Sequence, residues 1–240
     1  CGFGDGRPWT GMTEGGRNLR ETFDEWAADG RDRNMAERHW HTAKEALELM
    51  PVEPGDTVLD LGTGSGYALR ALRERSIGRG YGIDASAEMV SNAAAYTDDP
   101  NLAFLRADFE ALPFDANAAD HAFSMEAIYY ADVEAVLREL NRVLRPGGTV
   151  SVAVDYYAEN PHTEEWAEFI EVPMARLSRE EYRRALEAAG FHVAAQRNVP
   201  DREVEIPPPE AFPTESFETR EAMVEHYRTY GTLLTIGVVP

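Results

Sequence analysis

The chain has 240 residues, 43% of them hydrophobic, which is enough apolar material for a packed core and excludes global disorder. No run approaches the roughly 18 consecutive apolar residues of a membrane span, and the first thirty residues lack the basic-then-apolar order of a secretory signal, so a cytoplasmic protein without a membrane partner is expected. The formal net charge of −20 repels phosphate backbones and argues against nucleic acid as a substrate.

Only Lys44 among the 23 basic residues is a lysine; the rest are arginines. Acidic charge with so little lysine is the pattern of proteins that work in concentrated salt, where self-repulsion is screened, although a G+C-rich genome also favours arginine. Cys1 is the only cysteine, so neither an internal disulfide framework nor a cysteine-based metal site is available, and no metal ligand set is expected. Residues 1–17 are rich in glycine and read as a flexible tail, with Met12 a candidate start and residues 1–11 an extension.

Residues 18–50 are expected to form two helices ahead of the sheet. In the second, Ala36, Trp40, Ala43, Leu47 and Met50 fall at spacings of three and four, one apolar stripe, which Pro51 and Pro54-Gly55 terminate. Strands then alternate with helices. A strand over 57–61 runs through glycines into a helix over 67–75. A strand over 81–84 precedes Ser86, an N-cap for a helix carrying Met89, Val90 and Ala93. Strands follow at 102–106 and 121–124. Asp132 caps a helix with Val133, Val136, Leu137, Leu140, Val143 and Leu144 on one face, and Arg145-Pro146-Gly147-Gly148 ends it before a strand over 149–156. Ser178 and Glu181 make a capping box for a helix reaching Gly190, and strands close the chain at 191–199 and 233–239.

This alternation predicts an α/β fold with a doubly wound, Rossmann-like, mostly parallel sheet and helices on both faces; the sheet is expected to have seven strands, the last of them antiparallel. Residues 18–240 are read as a single domain with its cofactor-binding core at 51–156. Residues 157–177 and 200–230, with Trp166, Phe169, Phe212, Phe217 and Tyr227, are insertions that serve as a lid over a substrate or as packed surface decoration. Ile206-Pro207-Pro208-Pro209 is expected to be irregular or polyproline-like.

The most specific feature is Val58-Leu59-Asp60-Leu61-Gly62-Thr63-Gly64-Ser65-Gly66-Tyr67, an apolar strand entering a loop with glycine at every second position before a helix. A dinucleotide fingerprint needs a third glycine where Tyr67 stands. About twenty residues on, Asp84 ends the second strand, where an acid can accept hydrogen bonds from ribose hydroxyls or merely face the next helix dipole. Met89 lies one turn into that helix, against an adenine or in the core.

Asp60 and the glycines at 62, 64 and 66 resemble motif I of class I S-adenosylmethionine-dependent methyltransferases. The resemblance runs from about Thr57 to Val154 and ends in Glu139-Leu140-Asn141-Arg142-Val143-Leu144-Arg145-Pro146-Gly147-Gly148; the ubiquinone/menaquinone-biosynthesis type is most similar. It implies S-adenosylmethionine as cofactor, with Asp60, Gly62, Thr63, Gly64 and Gly66 around its methionine half and Asp84 and Ala85 at the ribose. It also implies that Asp108 accepts from the adenine amino group, that the Phe109 amide contacts the ring, and that Ser124 lends backbone to the methionine moiety. The segment Ser124-Met125-Glu126-Ala127-Ile128-Tyr129-Tyr130 then borders the methyl group and a small-molecule acceptor.

Glu126, Tyr129 and Tyr130 are therefore the candidates for holding the acceptor, with Glu126 the preferred base and His39 and His41 the weaker ones; the tyrosines equally suit core packing. Aromatic rings beside acids would suit a cationic amine. Two other classes use the same sheet: a non-catalytic S-adenosylmethionine-binding regulatory or scaffolding module, and an NAD-dependent oxidoreductase, against which Tyr67 argues.

Overall fold

The computed structural model describes residues 18–170, 172–214 and 216–240. The expected tail, 1–17, lies outside them. Two helices, α1 (Leu19–Ala28) and α2 (Arg31–Glu48), precede the sheet, joined at Gly30, which takes the left-handed conformation of a tight turn at φ +75°. The alternating part follows as β1 (Thr57–Leu61), α3 (Tyr67–Glu74), β2 (Arg79–Asp84), α4 (Ala87–Ala95), β3 (Leu102–Arg106), β4 (Ala119–Met125), α5 (Val133–Val143) and β5 (Leu144–Val154). After it come α6 (Trp166–Ile170), α7 (Arg179–Ala188), β6 (His192–Val199), α8 (Arg220–Glu225) and β7 (Thr232–Val238).

The seven strands form one sheet in the order β3-β2-β1-β4-β5-β7-β6, with β7 antiparallel to both of its neighbours. This is the predicted doubly wound, Rossmann-like architecture. The order reverses at β1 and β4, so a crevice opens beyond their carboxyl ends, where open α/β sheets bind ligands.

Successive strand residues point to opposite faces, and here both faces are buried. Val58, Phe123, Ala153 and Leu234 pack on one side with α2 and α3, through Ala43, Leu47, Ala68, Leu69 and Leu72. Leu59, Leu61, Ala122, Val150 and Val152 pack on the other with α5 and α7, through Val136, Leu137, Leu140 and Leu186. Asp132 caps α5 by accepting from the Ala135 amide at 3.0 Å, and Ser178 and Glu181 form the capping box of α7, both as expected.

Two local expectations change. Trp40 is not part of the buried stripe: it is 38% exposed and edge-on to Tyr67 at 6.2 Å. The reason is that α2 changes partner along its length, its first half facing a cavity and its second half the sheet. Arg145-Pro146-Gly147-Gly148 does not separate α5 from β5. Leu144 is already extended, and the register shifts between Ala119 and His121 to take up the extra residues, with Gly147 at φ +81°. The insertions at 157–177 and 200–230 carry α6, α8 and short turns that bind one another, Tyr157 Oη donating to the Tyr230 carbonyl at 3.2 Å and Asn160 pairing with His226 at 3.2 Å. The Phe169 side chain lies outside what is described.

Candidate active site

Asp60, 3% exposed, ends β1's run toward the crevice, and its Oδ2 accepts from Thr63 Oγ1 at 2.8 Å. Burial, only partly offset by that hydrogen bond and reinforced by Asp84, lifts its pKa to about 7. Two of the loop glycines are required. Gly62 has φ +75°, and a Cβ there would stand 2.1 Å from that of Ala127; Gly66 has φ +78°, and a Cβ would meet the Phe104 ring at 2.7 Å. The loop is thus pressed between the segment after β4 and strand β3.

At the end of β2, Asp84 accepts from the Gly64 amide at 3.1 Å and the Ser86 amide at 3.0 Å. Burial raises it to about 6 against the pull of those donors. Ser86 caps α4 through the Met89 amide and donates its Oγ to Asp24 Oδ1 of α1 at 2.5 Å. Asn92 of α4 donates to the Ala27 carbonyl at 3.2 Å. These contacts hold α1 and the start of α2 over the crevice as a roof.

Beneath it lies a cavity of about 680 Å³ including its mouth. Its walls include Gly62, Thr63, Gly64, Asp84, Ala85, Met89, Phe109, Glu126, Tyr130 and His39 among the sequence-predicted residues. Asp108 lines a smaller adjoining cavity that shares Ala85, Phe109 and Tyr130. Four further predicted residues line neither cavity: Asp60 stands behind Thr63, Gly66 turns into α3, Ser124 is sealed inside β4, and Tyr129 is buried with its hydroxyl on Glu126.

Glu126 is the most constrained residue here. It sits at φ +52°, a conformation rare for a residue with a side chain, with its amide bonded to the Ala153 carbonyl at 2.9 Å. Its Oε2 accepts from Tyr129 Oη at 2.8 Å and its Oε1 from the Asp155 amide. Burial, then the neighbouring Asp155 carboxylate, pushes Glu126 well above the usual carboxylate range. Asp155 is raised too, by burial, and accepts from Thr232 Oγ1 at 2.5 Å. His39 is held below its ordinary value because burial outweighs the attraction of Asp155. His41 faces away from this group, onto Asp201 at 3.1 Å.

Sequence reasoning missed the roof. Leu19 and Phe23 of α1 and Asp32, Met35 and Ala36 of α2 line the cavity, with Phe23 edge-on to Tyr130 at 5.2 Å. The signal was present in α2, where Asp32, Met35, Ala36 and His39 recur at three, four and seven. It was obscured by the apolar stripe read in a different phase. Ser65, Tyr67, Met125 and Ala127 complete the wall, and among the described residues no lysine or arginine lies on it, Arg20 lining only the smaller cavity.

A family model described as a methyltransferase domain matches residues 59–152. Yeast (Saccharomyces cerevisiae) sterol 24-C-methyltransferase is 30% identical over 169 residues, covering 65% of this chain and 44% of that protein. The 2-phytyl-1,4-naphtoquinone methyltransferase of Trichormus variabilis is 35% identical over 153 residues, 57% of this chain and 66% of its own. The chain therefore spans about half the length of the curated relatives it matches. A solved complex between the Haloferax volcanii Trm112 methyltransferase activator and a candidate methyltransferase contains a chain 60% identical to this one. That chain superposes with a TM-score of 0.90, over 93% of this chain and 100% of its own length. This likeness over the whole fold, with the glycine loop and Asp84 at one crevice, leaves the NAD-dependent reading without support: the chain belongs to the class I S-adenosylmethionine-dependent methyltransferases.

Proposed function

We propose that this protein transfers a methyl group from S-adenosylmethionine to a small-molecule acceptor. The observation that carries the reading is one cavity joining the glycine loop and Asp84 at one end to Glu126 and Tyr130 at the other. The residues fit the cofactor. No atom stands within 4 Å of where a Gly64 Cβ would lie, so the loop backbone is open to a ligand, and Met89 and Phe109 offer an apolar bed for a base. Asp84 and Ala85 would hold the ribose. Gly62, Thr63 and Gly64 would hold the methionine half, with Asp60 fixing Thr63 from behind, and Asp108 and the Phe109 amide would hold the adenine.

The cofactor supplies an activated methyl on a sulfonium, which an acceptor nucleophile displaces in line. What the chain must add is alignment and exclusion of water, for which well-oriented reactants gain effective molarities of about 10⁵–10⁸ M. Glu126, fixed by Tyr129 and the Asp155 amide, is the group that would take a proton from the acceptor, burial having made its carboxylate a stronger base. Tyr130 and Phe23 would pack the acceptor, and His39 would face it from α2.

A wall of acids and aromatic rings without a lysine or arginine suits a neutral or cationic acceptor, an amine above all, and disfavours a phosphorylated one. The acceptors named for the relatives, a sterol and a naphthoquinone, are small molecules, which supports that class. Release of S-adenosylhomocysteine over panels of amines, phenols and prenyl lipids tests the reading. Turnover that falls about 10²-fold or more in Glu126→Gln supports the base; full turnover removes it.

A protein partner is supported by a different observation. The 60% identical relative was solved with a Trm112 activator, so a Trm112-type subunit is proposed to assemble with this chain as well. Co-purification of the two from a common expression host checks this, and separate elution in both low and high salt would count against it. The acidic, lysine-poor surface and the Haloferax relative support a salt-adapted protein, and the cytoplasm is the compartment proposed. No described helix is long and apolar enough to cross a membrane.

A further inference from the structure

Asp32 is the second residue of α2 and is 1% exposed. It lies on the cavity wall, on the helix face that also carries Met35, Ala36 and His39. Its Oδ2 accepts one hydrogen bond, from Asn92 Nδ2 at 3.3 Å, and that same amide also serves the Ala27 carbonyl. Its Oδ1 is buried and has no hydrogen-bond partner among the described residues.

A carboxylate oxygen withdrawn from water and given no donor is costly. The two adjacent cations turn outward: Arg31 lies over the Trp26 ring at 5.8 Å and Arg33 over the Tyr96 ring at 4.5 Å. An acid in the first turn does favour a helix electrostatically, but a solvent-facing one gains that equally. The dipole explains an Asp at this position and not its turn into the cavity.

We propose that Asp32 is a cofactor-binding residue that accepts a hydrogen bond from a hydroxyl or amino donor on the nucleoside half of S-adenosylmethionine. Asn92, which holds it, stands on α4 three residues beyond Met89, and Asp32 shares the cavity with Asp84, Ala85 and Met89. His39, two turns further along α2, belongs to the Glu126 end. The inference rests on the cofactor reading above, and it makes α2 part of the binding site, with the cofactor bridging α2 and the sheet.

The test is calorimetric titration of S-adenosylhomocysteine and of 5′-methylthioadenosine, which lacks the amino-acid half, into wild type, Asp32→Ala and Asp32→Asn. Thermal unfolding of each ligand-free protein is measured alongside. Both ligands should bind Asp32→Ala about tenfold to a hundredfold more weakly, while the ligand-free midpoint does not fall. Asp32→Asn, with one acceptor oxygen for two donors, should also weaken binding, and it guards against loss of fold in the alanine variant. Wild-type affinity in both variants would overturn the inference, as would a lowered midpoint with affinity unchanged, the mark of a structural residue. Weakening for S-adenosylhomocysteine alone would put the contact on the methionine half and contradict the assignment. Absence of binding to wild type would instead sink the cofactor reading itself.

Discussion

Gly62 and Asp84 do different work in the crevice, and their variants should fail differently. A Cβ at Gly62 would fall 2.1 Å from that of Ala127 on a backbone at φ +75°, so Gly62→Ala should cost about 1–3 kcal/mol of stability as well as affinity, read by denaturant unfolding. The buried acids add a pH dependence. Asp84 and Asp60 have pKa values raised to about 6 and 7, chiefly by burial, so each favours its protonated form in the ligand-free protein. A group whose folded pKa is raised contributes stability below its unfolded value and loses it as pH climbs through the folded one. Ligand-free stability should therefore fall between about pH 4 and 7, from the unfolded carboxylate value to the folded ones, and affinity for the cationic cofactor should rise over the same interval with release of protons. Titrations in buffers of different ionisation enthalpy measure that release; affinity independent of pH would contradict it. Asp60, Asp84 and Asp108 were legible in the sequence because each lies at or just past the carboxyl end of a predicted strand. Asp32, Phe23 and Asp155 were not, since their roles exist only once α1, α2 and β5 are brought to the same cavity.

Among the elements, α5 was readable because a capped helix with a buried face leaves a 3.6-residue pattern, and Val133, Val136, Leu137, Leu140 and Val143 follow it to complete burial. α2 was misphased at Trp40 because it serves two surfaces, a cavity and a sheet, and no one stripe describes both. β5 was placed five residues late because proline and glycine signal a turn, while here they form a bulge within the ladder. The roof is held to α4 by several hydrogen bonds, of which Ser86 to Asp24 at 2.5 Å is the shortest. Asp24→Ala should free α1, visible as faster proteolysis between residues 19 and 31 that cofactor suppresses, and should weaken binding about tenfold. Unaltered cleavage and affinity would mean that the apolar contacts of Leu19 and Phe23 hold the roof alone.

At the scale of the molecule, alternating strands and helices carried the parallel part of the sheet, whereas the insertion of the antiparallel β7 between β5 and β6 has no local signature. A net charge of −20 on 240 residues opposes compaction at low ionic strength. Raising potassium chloride from about 0.1 M, where the screening length is about 10 Å, toward molar concentrations should raise the unfolding midpoint. A midpoint that does not move would contradict salt adaptation. The identity of the acceptor is the least legible property at any scale, because it depends on side chains from α1, α2 and the segments after β4 meeting in one place.

The central claim is that the crevice beyond β1 and β2 holds S-adenosylmethionine. Its most direct test is calorimetric titration of S-adenosylmethionine and S-adenosylhomocysteine, in high potassium chloride, into wild type and Asp84→Ala. Binding of both ligands to wild type, weakened at least about tenfold in the variant, is the predicted result. A folded wild type that binds neither ligand, or a variant that binds both as tightly as wild type, would contradict it.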